Sequence, residues 1–262
     1  MAGRDPVRWD PGAYQRYKAY RDRPALDLML RIPADLKPRE IWDLGCGTGE
    51  QAAVLQRRHP AARVHGLDSS PQMLAEARAR PGEVDWILGD IEGFAPDRPP
   101  DLIFSNAALQ WLGDHRTLYP RLAETLAQGG VLACQVPMTF EAAWHVALRE
   151  TAAEGPWAAR LEGVRGVRQV QPAETYYDWL TPQCSELDIW STVYLHVLQG
   201  EDPVVDWMRG TGLRPFLQAL EGSEEEAAFL DAYRARLAPL FPRRPGGVVL
   251  LPFPRLFIVA RR

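Results

Sequence analysis

Ile41-Trp42-Asp43-Leu44-Gly45-Cys46-Gly47-Thr48-Gly49-Glu50 is the stretch on which the reading of the chain turns. An apolar approach runs into glycines at three alternate positions, and a helical segment, Gln51 to Arg58, follows at once. Physically this is a buried strand, a tight turn and a helix start. Glycine lets the backbone take positive φ and lets a ligand approach it closely. The helix N-terminus offers N–H groups with no partner inside the helix. Asp43 stands at the strand end, where open α/β sheets bind their ligands. A dinucleotide fingerprint wants G-x-G-x-x-G with a pyrophosphate on the helix dipole. Here the third glycine comes one residue early and an acid precedes the first, which suits a cationic ligand better than a pyrophosphate. The bland alternative is an ordinary strand-to-helix turn.

The chain of 262 residues is long enough for one sizeable domain, or one core domain with an insertion. Its hydrophobic fraction of 46% is ordinary for a globular protein. A net charge of −4 and a pI near 5.8 give no electrostatic reason to expect nucleic acid. Cys46, Cys134 and Cys184 are odd in number and contain no C-x-x-C pair, so neither a disulfide scaffold nor a zinc site is expected. The first residues lack an apolar signal region, and no apolar run reaches the length of a membrane span. A cytoplasmic protein with no membrane association and no metal is the expectation.

Taken in order, residues 1–39 read as a helical cap carrying Trp9, Tyr14, Tyr17 and Tyr20, with a helix over Ala25–Ile32 that ends before Pro33. A lid over the ligand is the alternative role for the aromatic segment. Strands are expected at Glu40–Leu44, Arg63–Leu67, Val84–Leu88, Asp101–Ser105 and Val131–Val136, with helices between them. Ser70 and Pro71 open the second of these helices as N-cap and first helical residue. Strands this far apart cannot form hairpins, so the pattern predicts a parallel sheet with right-handed crossovers. Beyond it come a helix over Ala142–Glu154, a loop over Gly155–Gln171, a short helix over Ala173–Leu180 and a β-branched strand over Glu186–Leu198. Two helical stretches, Asp202–Leu220 and Ser223–Leu240, follow, broken by Gly210-Thr211-Gly212 and Gly222, the second capped by Ser223 with acids in its first turn. Val248–Arg262 is the last strand, interrupted by Pro252 and Pro254. The division is therefore a single domain over 1–262, with a cofactor-binding half at 40–137 and an acceptor-side half at 138–262 that carries the helical insert at about 202–242.

Three further positions fall at strand ends. Asp68 closes the second strand, where an acid accepts both hydroxyls of a ribose; the competing role, capping the next helix, is already filled by Ser70. Asp90 follows the third strand, placed to accept from an adenine amino group, with the Ile91 N–H donating to a ring nitrogen; a plain turn Asp is the alternative. Asn106 and Ala107 follow the fourth strand, beside the far end of the same extended ligand. Asp-x-Gly-x-Gly-x-Gly resembles motif I of the class I methyltransferases, which bind S-adenosylmethionine. That resemblance implies a cofactor site of Asp43, Gly45, Cys46, Gly47, Gly49, Asp68, Ser69, Met73, Asp90, Ile91, Asn106 and Ala107. It also implies a Rossmann-like, doubly wound, seven-stranded α/β sheet, mostly parallel with its last strand antiparallel.

The runs DLGCGTGEQAAVLQRRHPAARVHGLDSSPQMLAEAR (43–78), DLIFSNAALQWLGDH (101–115), VDWMRGTGLRPFLQAL (205–220) and PRLFIVARR (254–262) are similar to the trans-aconitate 2-methyltransferase family. The likeness runs from about Trp9 to Arg262 and departs mostly over Gly155–Gln171. It implies methyl transfer to a carboxylate of trans-aconitate or a similar small polycarboxylate, giving a methyl ester, in a monomer or, alternatively, a homodimer. A carboxylate is already ionised at neutral pH, so neither a general base nor a metal is required; proximity and charge carry the catalysis. A polycarboxylate calls for arginine forks. Arg149, Arg209, Arg214 and Arg255 lie outside the cofactor half, and Arg214 and Arg255, in the family-like runs, are preferred. Trp111, His115, His145, Tyr176 and Tyr177 are further acceptor-side candidates, with a helix-end or packing role the stronger reading for both histidines.

Two rival readings stand beside this one. A phenolic acceptor would need a base, and His115 or His145 would then matter. A non-catalytic S-adenosylmethionine-binding protein would keep Asp43, Asp68 and Asp90 without turnover. Nucleic-acid methylation is disfavoured: there is no basic stripe, and Ser105-Asn106-Ala107-Ala108 stands where an Asn-Pro-Pro-Tyr motif would be.

Overall fold

The computed structural model describes residues 18–164 and 170–262. Trp9, Tyr14 and Tyr17, with the rest of residues 1–17 of the expected N-terminal cap, lie outside the described residues, as do 165–169 of the expected loop. The described residues fall into two compact units. One holds Asp22–Pro137, Val170–Thr192 and Arg255–Arg262; the other holds 18–21, 138–164 and Val193–Pro254.

The first unit is built on the parallel strands β1 (Glu40–Leu44), β2 (Arg63–Asp68), β3 (Val84–Leu88), β4 (Leu102–Asn106) and β5 (Val131–Pro137). With β6 (Glu186–Leu198) and β7 (Val249–Arg261), the sheet order is β3-β2-β1-β4-β5-β7-β6. β7 runs antiparallel to β5, from Val131 opposite Arg261 to Pro137 opposite Arg255. The order steps outward from β1 in both directions, β1-β2-β3 on one side and β4 on the other, which makes the carboxyl ends of β1 and β4 the switch point. Leu102, Ile103 and Phe104 of β4 are fully buried, as are Val131, Leu132 and Ala133 of β5. Covered on both faces, central parallel strands lose the polar alternation of a half-exposed sheet. The seven-stranded sheet, its parallel core and its antiparallel last strand are as the sequence implies.

The second unit packs its own apolar core. α5 (Ala143–Ala153), α8 (Pro203–Arg209), α9 (Arg214–Leu220) and α10 (Glu225–Leu240) bury Trp144, Trp207, Phe216, Phe229 and Tyr233 together with Phe253. Tyr233 donates its hydroxyl to the Trp144 carbonyl at 3.0 Å. Arg236 pairs with Glu150 and Glu154 across the α5–α10 contact.

Three local expectations are corrected. The first helix, α1, spans Lys18–Met29 and carries Pro24 inside it, so it starts earlier than Ala25. Its buried stripe is Ala25, Leu28, Met29 and, in the turn beyond, Ile32; Leu26 and Leu30 point to solvent at 49% and 75% exposure. Positions 25, 28, 29 and 32 follow the i, i+3, i+4, i+7 spacing of one continuous helix face. The expected break at Gly210-Thr211-Gly212 does divide the Asp202–Leu220 stretch, into α8 and α9. Ser223 does not cap α10: its hydroxyl donates to the Leu220 carbonyl at 2.7 Å, closing the end of α9, and α10 starts at Glu225 without a side-chain cap. A serine between two helices can satisfy either an orphan carbonyl behind it or an orphan N–H ahead of it; here it takes the carbonyl. The loop over Gly155–Gln171 also contains one helical turn, Ala158–Leu161.

Candidate active site

The turn after β1 has three glycines with three different jobs. All take positive φ, at 73°, 54° and 79° for Gly45, Gly47 and Gly49. A Cβ on Gly45 would lie 2.2 Å from the Ala108 Cβ, and one on Gly49 would lie 2.3 Å from the Trp86 ring. These two are required by packing against the protein itself. A Cβ on Gly47 would meet nothing within 4 Å. Gly47 is therefore the glycine whose bare backbone faces open space, the property a ligand-approaching position needs. The Gly45 and Cys46 N–H groups are tied to the Leu67 carbonyl at 2.8 and 3.0 Å, which holds the turn against the end of β2.

Asp68 is bonded on both carboxylate oxygens. Oδ2 accepts from the Gly47 N–H and Oδ1 from the Ser70 N–H, each at 2.8 Å. A carboxylate has about four acceptor sites, so two remain for hydroxyl donors. Ser70 caps the helix Pro71–Arg78 by accepting from the Met73 N–H at 3.3 Å, leaving Asp68 unneeded for capping. Ser69 is exposed in the turn, and Met73 is buried one turn further on. Asp90 caps the single turn Ile91–Gly93 through the Glu92 N–H at 2.8 Å. Arg121 fixes that turn from behind, donating to the Ile91 carbonyl at 3.0 Å and the Phe94 carbonyl at 2.9 Å. Neither Arg121 nor its role is legible from local sequence.

Asp43 is buried at 1% exposure, and its Oδ2 has no hydrogen-bond partner. Burial first, then the neighbouring Asp68 charge, pushes its pKa up to about 8. A buried, under-satisfied acid next to a second acid is a site short of positive charge. This orphaned oxygen, the open face of Gly47 and the two free acceptor positions of Asp68 fit a ribose-bearing ligand that carries a cation, as S-adenosylmethionine does.

At the end of β4 the backbone is strained. Ala107 takes φ of 55°, unusual for a residue with a Cβ. Its N–H donates to the Gln135 carbonyl at 2.9 Å, and its own carbonyl accepts from the Gln110 side chain at 2.7 Å. Asn106 is half-buried, and its Oδ1 accepts from the Gln135 Nε2 at 2.6 Å. Gln135 Oε1 accepts from Arg255 at 2.9 Å. Gln135 and Arg255 are buried, at 0% and 3% exposure. Gln135, missed in the sequence, stands inside the apolar run of β5, where one amide among buried residues was the available signal.

The remaining acceptor-side candidates are placed as follows. Trp111 ends the short turn Leu109–Trp111 and is 37% exposed. Tyr176 is fully buried, and its hydroxyl is 2.6 Å from His115 Nδ1 while accepting from the Gln171 N–H at 3.3 Å. His115 Nε2 lies 2.8 Å from the Leu109 carbonyl, so it carries the proton and Nδ1 accepts from Tyr176. Both groups are thus committed to holding the Leu109–Trp111 turn, and burial pushes the Tyr176 pKa up. Tyr177, its neighbour, is half exposed. In the second unit, His145 is buried against Gly212, and burial, with Arg149 nearby, lowers its pKa to about 4. It is neutral at physiological pH and brings no charge to an anion. Arg214 is half-buried at the start of α9. Arg149 donates to the Phe140 carbonyl and stacks over the Phe140 ring at 4.0 Å.

A methyltransferase-domain model matches residues 41–130, the span of β1 to the turn before β5. Among solved structures, the YcgJ protein of Bacillus subtilis superposes with a TM-score of 0.58 at 17% identity, covering 92% of this chain and 98% of that one. Phosphoethanolamine N-methyltransferase 2 of Haemonchus contortus, solved with S-adenosylhomocysteine, gives 0.55 at 14% identity over 92% of this chain and 52% of that one. At these identities the likeness is one of fold. Sequence relatives reach much further. The trans-aconitate 2-methyltransferase of Methylobacterium nodulans is 48% identical over 97% of this chain and 98% of its own length. That of Azoarcus sp. is 46% identical over 97% and 99%. Identity at this level takes in the β7 and α9 segments that lie beyond the shared cofactor turn, and on that basis the chain belongs to the trans-aconitate 2-methyltransferase family.

Proposed function

We propose that the chain methylates a carboxylate of trans-aconitate, or of a closely similar small polycarboxylate, using S-adenosylmethionine. The observation that carries the acceptor is the near full-length identity to relatives of that name, since the glycine turn says nothing about what is methylated. The cofactor is supported by the buried acid Asp43, the open backbone of Gly47 and the half-used carboxylate of Asp68.

When bound, S-adenosylmethionine supplies a methyl group on a sulfonium, which passes to a carboxylate oxygen and leaves a neutral thioether. The rest is the work of the chain's own groups. Asp68 accepts the ribose hydroxyls while its other acceptor sites hold the Gly47 and Ser70 N–H groups in place. Asp90 and Ile91 receive the adenine, on a turn that Arg121 keeps rigid. Gly47 brings bare backbone to the ligand on a turn that Gly45, Cys46 and Gly49 hold in shape around the cofactor, and Asp43 provides the negative charge that a cationic ligand compensates. Ser69 and Met73 border the adenosine; Asn106 and Ala107 border the methionine end. Arg255 and Trp111 serve the acceptor side of the same strand ends. Arg214 and Tyr177 keep the acceptor-side assignment their segments give them, while Tyr176 and His145 act as support. The acceptor carboxylate needs no deprotonation at neutral pH, so neither histidine is called on as a base. The partner is a small molecule, with no role for nucleic acid or membrane; among the described residues, no helix is long and apolar enough to cross one.

The test is a panel. Labelled methyl donor is offered with tricarboxylates, dicarboxylates and a phenol. The reading expects base-labile methyl ester from trans-aconitate in preference to the dicarboxylates, and no alkali-stable ether from the phenol. Ether formation, or no transfer to any acid, overturns it.

A further inference from the structure

A guanidinium has only donors. Arg255, buried and bonded to Gln135 at 2.9 Å, therefore forces the Gln135 amide to present its oxygen. The Gln135 nitrogen is then the atom left for Asn106, and it lies 2.6 Å from the Asn106 Oδ1. With Oδ1 committed, what Asn106 can give to a ligand is its amide N–H2. The sheet register makes this chain of three: Asn106 lies directly opposite Gln135 in the β4–β5 pair, and Arg255 lies on the diagonal, two residues along β7 from Phe257, which is opposite Gln135.

We propose that Arg255 acts as a positioning residue: through Gln135 it locks Asn106 as a hydrogen-bond donor at the carboxyl end of β4, facing a carboxylate oxygen of the bound ligand. The proposal deepens the reading of a carboxylate-handling methyltransferase and rests on it. Two carboxylates share that chemistry, one on the acceptor and one on the amino-acid end of the cofactor. Without the lock either amide can turn over, and a carbonyl oxygen facing a carboxylate repels it. The strain at Ala107, tied by its N–H to the Gln135 backbone, keeps the adjoining backbone in the same register.

The decisive variant is Gln135→Glu. It is isosteric and keeps the bond to Arg255, but both its oxygens accept, so Asn106 must rotate to donate to it and turn its own oxygen outward. Gln135→Met breaks the chain without imposing the wrong orientation. Two quantities are read: acceptor kcat/KM at saturating cofactor, and affinity for S-adenosylhomocysteine by calorimetry. Gln135→Glu is expected to lose about tenfold or more in one of them, the scale of a lost hydrogen bond to a charged group, with its melting temperature kept. A loss in the first places the carboxylate on the acceptor, and a loss in the second places it on the cofactor. Gln135→Met is expected to lose less than Gln135→Glu, and Asn106→Asp to lose in the same quantity as Gln135→Glu. A purely structural role gives the opposite order, because Gln135→Met leaves buried polar groups unpaired. The proposal is overturned if Gln135→Glu stays within about twofold of the parent in both quantities, or if Gln135→Met is the more damaging. Failure of the parent protein to methylate any carboxylate would sink the underlying reading instead, and the affinity arm still tests the lock.

Discussion

Asp43 and Asp68 are both acids at strand ends, yet their surroundings give them different work. Asp68 receives two backbone N–H groups, whereas Asp43 is shut away with one oxygen unsatisfied. An unfolded Asp43 ionises near 3.8 and the folded one only near 8, so between those values the folded state holds the extra proton. Stability from this group therefore falls as pH rises through that window. The ligand-free protein should be more stable at about pH 5 than at about pH 8, with Asp43→Asn flattening the trend; denaturant midpoints across pH measure it. A cation bound beside Asp43 lowers its pKa, so cofactor binding near neutral pH should release a proton. Calorimetry in buffers of different ionisation enthalpy reads that directly, and identical apparent enthalpies would contradict it. Asp68→Ala should weaken cofactor binding by about tenfold or more, since it removes the ribose acceptor and frees the Gly47 and Ser70 N–H groups; an unchanged dissociation constant would refute the ribose role. These acids were readable from sequence because each ends a strand that its own periodicity marks. Gln135 and Arg255 were not readable together, because their meeting depends on an antiparallel register between segments 120 residues apart.

At the scale of elements, the turn after β1 is braced by packing as much as shaped for a ligand. Gly49 and Gly66 both lie against Trp86 of β3, where a Cβ would fall 2.3 and 2.5 Å from the ring. Gly49→Ala should destabilise by roughly 2–4 kcal/mol, combining left-handed strain with the clash. Adding Trp86→Leu should return the steric share only, and thermal or chemical denaturation of the two variants separates the parts. The sequence marked Gly49 as part of a ligand-binding motif; that its neighbour is a tryptophan two strands away is a tertiary fact. The strands and the helix Ala173–Leu180 were legible because their apolar periodicity is local to each segment. Where neighbouring elements compete for one residue, local rules fell short: Ser223 turned back to α9, and Pro24 was carried inside α1 instead of preceding it.

At the scale of the molecule, one unit carries the nucleotide-type strand ends and the other carries a separate aromatic core. Position and charge carry the proposed chemistry, with no titrating base in the reaction. At saturating cofactor and acceptor, kcat should stay level between about pH 6 and 8, and a sigmoidal rise across that range would point to a base and to a different acceptor. Arg214→Ala should raise the acceptor KM while sparing cofactor affinity, and unchanged kinetics would remove Arg214 from the acceptor side. The most direct measurement is of the product itself: the protein is incubated with methyl-labelled S-adenosylmethionine and trans-aconitate, and the purified product is characterised by mass spectrometry and alkaline hydrolysis. The expected product is a single methyl ester whose label is released as methanol by alkali. A label that resists alkali, or an acid recovered unmethylated, would contradict it.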